Sequence, residues 1–235
     1  MSGDPDATAP KRTLLAWSSG KDSAFALHEL QKDPALEVVG LLTTINAARE
    51  RVAMHAVRVE LLERQADAAG LPLWPVRIPE PCSNEQYERA MGEAMERATK
   101  DGITAVAFGD LFLEEVRAYR EKQLAKCGIE PLFPLWGRDT KVLARTMLDA
   151  GLRAVLTCVD SKQCPRHFAG RAFDEKLLQE LPASVDPCGE RGEFHTFAWA
   201  GPMFRRPIPV QIGERRVQGR FVFTDLLPEA ATAPR

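Results

Sequence analysis

The sequence predicts an α/β protein, a parallel sheet flanked by helices with a small β-rich domain behind it, and three observations predict it. Short apolar runs alternate with helix-length amphipathic segments over the first two-thirds of the chain, the pattern of strands covered on both faces. Glycines stand just past three of those segments, at Gly70, Gly128 and Gly151, where helices commonly end. Near Asp160 the composition turns polar and irregular, and β-like runs follow. The 235 residues divide into an expected larger domain over 12–160 and a small one over 161–228. Segments 1–11 and 229–235, rich in Ala, Pro, Thr and charge, read as tails.

Residues 13–17 make the first strand, and Phe25, Leu27 and Leu30 mark the helix after it. Residues 37–44 read as the second strand, before a helix near 57–69 that Gly70 closes. A third strand at 73–78 leads to Asn84, the expected N-cap of a helix reaching Lys100, with Tyr87, Met91, Ala94, Met95 and Ala98 on one stripe. A fourth strand at 104–108 precedes a helix over 113–126, and a short segment at 130–133 leads into a helix over 139–150. Residues 153–159 read as the last strand of the parallel series. Beyond it come a short helix near 174–180 and β-like runs at 193–200, 208–212 and 220–224, with 212–215 reading as a turn.

Composition narrows the function classes. Hydrophobic residues are 45% and charged residues 27%, the balance of a globular chain, and Lys+Arg 31 against Asp+Glu 33 leaves a net charge of −2. Such a chain is no polyelectrolyte binder of nucleic acid, although a local basic face stays open. The start lacks an apolar signal region and no run of about 18 apolar residues appears, which argues against export and membrane spanning. Five scattered cysteines (Cys82, Cys127, Cys158, Cys164, Cys188) do not make a disulfide framework, so a reducing cytoplasm is the expected setting.

Ligands of open parallel sheets bind outside the carboxyl ends of the strands, which directs attention to Ser18-Ser19-Gly20-Lys21-Asp22-Ser23 after the first strand. Small residues let backbone curl around an anion, helix-start N–H groups supply donors, and Lys21 adds a mobile positive charge suited to phosphate. Asp22 is repelled by phosphate unless it caps the helix or meets a metal, which favours a phosphate chain carrying Mg²⁺. A Walker A loop does not fit, because Lys21 is followed by Asp22 and Leu15 stands where its first glycine belongs. A capping Ser/Asp pair beside a solvated lysine is the plain alternative.

The hexapeptide resembles the PP-loop, S-G-G-K-D-S, of ATP pyrophosphatases in the adenine nucleotide alpha-hydrolase superfamily. Further stretches resemble one branch, the diphthine–ammonia ligase family and its bacterial relatives. They are Leu42-Thr43-Thr44, Arg51-Val52-Ala53-Met54-His55, Phe108-Gly109-Asp110, Pro134-Leu135-Trp136-Gly137-Arg138 and the run from Asp186 to Phe197, DPCGERGEFHTF. The likeness implies cleavage of ATP between the α- and β-phosphates: an acceptor carboxylate or carbonyl becomes adenylated with release of pyrophosphate, and ammonia or an amine then displaces AMP. It assigns the pyrophosphate cradle to Ser18, Ser19, Gly20, Lys21 and Ser23, with Asp22 as cap or Mg²⁺ partner. Ser19 stands at a glycine position of the motif, so its φ is expected to be negative.

Other positions follow from where they fall. Thr43 and Thr44 end the second strand, where a base or ribose edge can rest or where threonines merely close a strand. Arg51 and His55 lie one turn apart if helical, and the resemblance turns them toward ATP phosphates or substrate. Gly109 and Asp110 follow the fourth strand directly; Asp110 suits Mg²⁺ or substrate, or caps the next helix. Glu114, Arg117, Tyr119 and Arg120 beyond it read as a solvated face. In the 186–197 run, Glu190, Glu193 and His195 place three titratable groups within six residues. In a strand Glu193 and His195 share one face, where carboxylates can hold an amine or ammonium and His195 can accept its proton. By resemblance this run lines the acceptor site of the small domain, and His195-Thr196 matches bacterial members where the archaeal and eukaryotic branch more often has Glu-Thr.

Cys158 and Cys164 lack zinc spacing, even with His167, and Cys188 beside Glu190 is a weak nucleophile candidate. Arg205, Arg206, Arg215, Arg216 and Arg220 make the end of the chain locally basic. The expected activity is therefore an ATP- and Mg²⁺-dependent ligase forming a carbon–nitrogen bond on a small-molecule or protein side-chain acceptor, with ammonia or an amine as donor. Two rivals stand beside it: a tRNA-modifying PP-loop enzyme, which commonly needs a reactive cysteine pair, and a nucleotide-binding sensor without turnover.

Overall fold

The computed structural model describes residues 9–52 and 57–229. Its first sheet is built from β1 (Lys11–Ala16), β2 (Leu36–Asn46), β3 (Arg51–Val52), β4 (Leu73–Ile78), β5 (Ala105–Ala107) and β6 (Glu130–Leu132). Five of these run parallel in the order β4-β2-β1-β5-β6, and the short β3 turns back antiparallel on the end of β2. Helices α1 (Lys21–Leu30), α2 (Val59–Ala69), α3 (Asn84–Lys100) and α4 (Glu114–Ala125) make the crossovers. The chain travels outward from β1 through β2 to β4, then α3 carries it back to β5 on the other side of β1. The carboxyl ends of β1 and β5 therefore flank the point where strand order reverses, the place where such sheets open a crevice.

The helices form where the sequence pattern places them. On α2, Leu61, Leu62, Gln65, Ala66, Ala68 and Ala69 are buried on one side, and Gly70 ends the helix at φ 69°, a conformation that favours glycine. The N-cap of α3 is Ser83 rather than the expected Asn84. Its hydroxyl accepts from the Gln86 amide at 3.2 Å while the Gln86 side chain accepts from the Ser83 amide at 2.9 Å, a reciprocal pair that needs Gln three residues past the cap.

The second sheet joins β7 (Arg153–Asp160), β8 (Ala172–Phe173), β9 (Phe194–Ala200), β10 (Val210–Gln218) and β11 (Phe221–Pro228), and it is antiparallel throughout. Helices α5 (Thr140–Asp149) and α6 (Glu175–Glu180) flank it. This corrects the reading of 153–159 as the last parallel strand: β7 pairs with β8, β9 and β11 and with no strand of the first sheet. The cause is physical, since a central antiparallel strand is as continuously apolar as a parallel one. The expected turn at 212–215 is instead a bulge inside β10, and the chain reverses at Gly219, φ 60°.

Helix α1 lies between the sheets, packed on β1 and β2 and on β9. That explains why it buries Ala24, Phe25, Ala26, Leu27 and Leu30 nearly all round, and why one hydrophobic core runs through both sheets. Among the described residues no helix is long and apolar enough to cross a membrane.

Candidate active site

A cavity of about 510 Å³ opens at the reversal point, bounded by the ends of β1 and β5, the first turn of α1 and the segment entering β9. Its size suits a small organic ligand. Ser18, Lys21, Asp22 and Ser23 line one wall; Glu190, Phe194, His195 and Thr196 line the facing one. Leu42, Thr44, Val52, Tyr87, Met91 and Phe108 make an apolar end.

The loop after β1 is fastened from behind. Ser19 adopts φ 70°, against the expected negative value, so a serine here takes the left-handed backbone that glycine accepts more readily. Its carbonyl accepts from the amide of Ala198 at 2.9 Å and from Gln65 Nε2 at 3.0 Å, which holds the peptide in that state. Ser19 is buried and, with Gly20, sits behind the wall rather than on it. Ser18 and Ser23 hydroxyls lie 3.2 Å apart at the front. The Lys21 amide donates to Thr196 Oγ1 at 3.0 Å, so a side chain of the second sheet caps the first turn of α1.

Lys21 is pinned rather than mobile. Its side chain is 2% exposed, its Nζ meets both oxygens of Asp22 at 2.9 and 2.8 Å and the carbonyl of Cys188, and the Phe173 and Phe194 rings flank it. Burial opposes the ammonium charge, but Asp22 and further negative neighbours override it and raise the lysine pKa. Burial pushes Asp22 upward against the pull of Lys21.

The facing wall is a tight turn. Asp186 accepts from the Cys188 amide at 2.9 Å and from the Thr140 hydroxyl at 2.6 Å, while its own amide donates to Glu193 Oε1 at 2.9 Å. Gly189 sits at φ 71° with no room for a side chain, since a Cβ would lie 2.9 Å from the Phe194 carbonyl oxygen. Glu193 thus braces the turn from inside; it precedes β9, is buried, and does not share the cavity face with His195 as a regular strand over 193–200 would require. Its Oε2 has no partner among the described residues. Glu190 faces the cavity, its Oε1 accepting from the Leu111 amide at 2.8 Å. Burial, reinforced by Asp22 and Asp110, raises its pKa to about 7. Burial and then the Lys21 charge lower His195 to about 4, so its imidazole is neutral at ordinary pH.

At the end of β5, a Cβ on Gly109 would lie 2.9 Å from the Asp22 carbonyl carbon and the Ser23 amide nitrogen, so this residue type lets the chain after β5 close on the first turn of α1. Asp110 is gripped by the Arg120 guanidinium, Nη2 to Oδ1 at 3.0 Å with Nε on Oδ2, and Arg120 stacks on Phe108 at 4.2 Å. Arg120 is therefore a cavity residue, not part of a solvated face. Asp22 and Asp110 both reach the cavity; no cluster of three metal-ligating side chains exists among the described residues. Asp22 and Asp110, each paired with a cation here, are the carboxylates of the kind and number that Mg²⁺ usually takes, one or two beside substrate oxygens and water.

Two further expected positions fall elsewhere, and a third is not described. Thr43 is buried away from the cavity and Thr44 takes its place on the wall, as strand alternation demands. Arg51 lies in β3, not in a helix, and donates to Asp225 Oδ1 at 2.9 Å alongside Arg58. His55 lies outside the described residues. All five cysteines are free thiols. Burial raises Cys158 to about 12, Cys164 to about 11 and Cys188 above its ordinary value, which keeps these three protonated. Sequence reasoning missed Gln65, which fastens the loop from behind, and the capping role of Thr196, which meets α1 from the facing wall; the signal for Gln65 is a polar residue on the buried stripe of α2.

Two family models cover most of the chain: the diphthamide synthase N-terminal domain matches residues 11–131 and the diphthamide synthase C-terminal domain matches residues 139–226. A relative from Danio rerio named diphthine–ammonia ligase is 29% identical over 226 residues, covering 84% of this chain and 85% of its own. The human protein of that name is 25% identical over 229 residues, covering 86% of this chain and 84% of its own. The Schizosaccharomyces pombe one is 25% identical over 209 residues, covering 81% of this chain but 34% of its own.

Proposed function

The chain belongs to the diphthamide synthase family, and from that premise we propose that it is an ATP-dependent ligase joining ammonia to an acceptor carboxylate. One observation carries the proposal: the loop after β1, Asp110 after β5, and Glu190 with His195 all converge on one cavity. The first turn of α1 with Lys21 faces the phosphates, and the apolar end by Leu42, Thr44 and Val52 receives the adenosine. Asp22 or Asp110 would be the residues to hold Mg²⁺, which would supply positive charge to offset that of the leaving pyrophosphate.

The acceptor carboxylate oxygen attacks the α-phosphorus, and the bond from that phosphorus to the oxygen bridging to the β-phosphate breaks. Pyrophosphate leaves and the acceptor is adenylated. Ammonia then attacks the acyl carbon, Glu190 takes the proton that nitrogen sheds, and AMP departs with the carboxyl oxygen. Glu190 suits this step because its pKa of about 7 lets it lose and regain a proton near neutrality. His195, uncharged, serves as a hydrogen-bonding wall for the acceptor. The fixed donors of the opposite wall need no rearrangement as charge develops.

The acceptors to try first are a protein bearing diphthine, the substrate in the relatives' name, and small carboxylates. Purified protein with ATP, Mg²⁺, ammonium and acceptor is expected to yield AMP and pyrophosphate in equal amounts; ADP as the sole product overturns the reading. The tRNA-modifying alternative loses ground because Cys158, Cys164 and Cys188 are buried and held protonated. Free thiols suit the reducing cytoplasm, where we place the protein.

A further inference from the structure

We infer that Gln65 is a positioning residue for the nucleotide loop, acting through the Ser19 peptide, and that it ties the loop to the acceptor strand. The inference rests on the reading that the cavity takes ATP. Gln65 is fully buried on a stripe otherwise made of Leu61, Leu62, Ala66, Ala68 and Ala69. A carboxamide there is costly unless its polar atoms are all engaged. They are engaged: Oε1 accepts from the Trp17 indole Nε1 at 3.0 Å, and Nε2 donates to the carbonyls of Ser19 at 3.0 Å and Ala198 at 2.7 Å. The partners fix which way the amide points, because an indole N–H only donates and carbonyls only accept.

The geometry explains why the loop needs such a residue. Ser19 holds φ 70° without being glycine, and its hydroxyl has no partner among the described residues to stabilise that state. Stabilisation comes instead at its carbonyl, from Gln65 and the Ala198 amide together. A planar peptide carries C=O and N–H on opposite sides, so fixing the Ser19 oxygen at the back aims the Gly20 N–H forward, toward Ser18 Oγ at 3.3 Å. Through Ala198 the same side chain grips β9, the strand that carries His195 and the Thr196 cap on α1. Gln65 thus sets where the loop's donors point, without touching the nucleotide.

The test is calorimetric titration of the full chain with Mg²⁺ and α,β-methylene-ATP, which cannot be cleaved at the α–β position. Gln65→Leu and Gln65→Glu are each expected to weaken binding about tenfold, the worth of roughly one buried hydrogen bond. The Trp17 indole N–H resonance, assigned through Trp17→Phe, should move upfield in Gln65→Leu and hold its place in Gln65→Glu, which keeps an acceptor. Ser19→Gly removes the backbone penalty, so it should raise the melting temperature alone and restore most of the lost affinity in the Ser19→Gly/Gln65→Leu pair. A folded Gln65→Leu protein that binds as tightly as wild type overturns the inference. So does a folded double variant with no recovery, which would make Gln65 a packing residue only. If Gln65→Leu fails to fold, Gln65→Glu with and without Ser19→Gly gives the same decision. Wild-type protein that binds no nucleotide fails at an earlier point, the ATP reading, and removes the inference with it.

Discussion

The two walls of the cavity are built on opposite principles. The wall from the first sheet presents the Ser18 and Ser23 hydroxyls and one buried ammonium whose charge is locked by Asp22. The wall from the second sheet presents two groups whose protonation burial has shifted in opposite directions, Glu190 up to about 7 and His195 down to about 4. In the proposed reaction one wall would supply constant charge to a leaving anion, and the other a proton acceptor and a neutral surface for a nucleophile. Each is braced by the other: Thr196 caps α1, the Cys188 carbonyl accepts from Lys21, and Ala198 bonds to Ser19. Within the second wall, the two groups pushed apart in pKa mark a division between a switchable carboxyl and a neutral imidazole.

The hardest blow to the fixed half is Lys21→Ala. It removes the charge proposed to meet pyrophosphate, and AMP release should fall about 100- to 1,000-fold, the range for one preorganised donor. The same change strips Asp22 of its partner, so melting temperature should also drop, and Lys21→Met/Asp22→Asn should regain stability but not activity. A Lys21→Ala enzyme that keeps near-normal turnover would erase the distinction between the walls.

On the switchable half, Glu190→Gln should lower the rate about 100-fold and remove its pH dependence near 7. In the wild type the ionised, base-competent fraction grows as pH rises through about 7, so the rate should climb below that point and level off above it. Stability runs the other way. A carboxyl whose folded pKa is raised holds an extra proton in the folded state, so its contribution is lost as pH rises from the ordinary carboxylate range through about 7. A pH–rate profile unchanged in Glu190→Gln would assign the base elsewhere.

His195 sharpens the contrast. Its folded pKa of about 4 lies below the ordinary imidazole value, so the unfolded chain takes up a proton between those two points and the folded one does not. Stability is therefore full above the ordinary value and falls as pH drops toward 4. His195→Gln should flatten that acid limb of the unfolding free energy by about 1–3 kcal/mol, while turnover near neutrality changes less than in Glu190→Gln. A proton resonance of His195 titrating near its ordinary value would instead make it a second switchable base.

How much of this was legible in the sequence differs between the walls for a physical reason. The fixed wall was readable because its donors come from contiguous residues, and a strand, a small-residue loop and a helix start are local features. Its fastening was not, since Gln65 behind it and Thr196 across from it approach from 46 and 175 residues away. In the facing wall the titratable residues were visible as a cluster, but their roles turn on one residue of register. Because β9 begins at Phe194, Glu193 points into the core and braces Asp186 while His195 keeps the cavity. Likewise β7 carried the apolar run of a buried strand, and only its partners, 172–173, 194–200 and 221–228, reveal that it belongs to the antiparallel sheet.

The smallest expected effect concerns a contact that joins the sheets outside both walls. Asp225 on β11 accepts from Arg51, on the edge strand β3 of the first sheet, and from Arg58. Burial works against its charge, but the two guanidiniums hold its carboxyl below the usual range. A carboxyl with a depressed folded pKa adds stability above its unfolded pKa and loses it as pH falls through the folded one. Asp225→Asn should thus cost about 1 kcal/mol at neutral pH, a melting shift of about 2–4 °C for a chain of this size. That loss should shrink in acid and in high salt, because each condition already weakens the wild-type contact. Nucleotide affinity should change less than in Gln65→Leu, since Asp225 touches neither the Ser19 peptide nor the cavity-facing carboxylates. A larger loss of affinity in Asp225→Asn than in Gln65→Leu would mean that the cavity is shaped from the 51–58 edge rather than from the two walls.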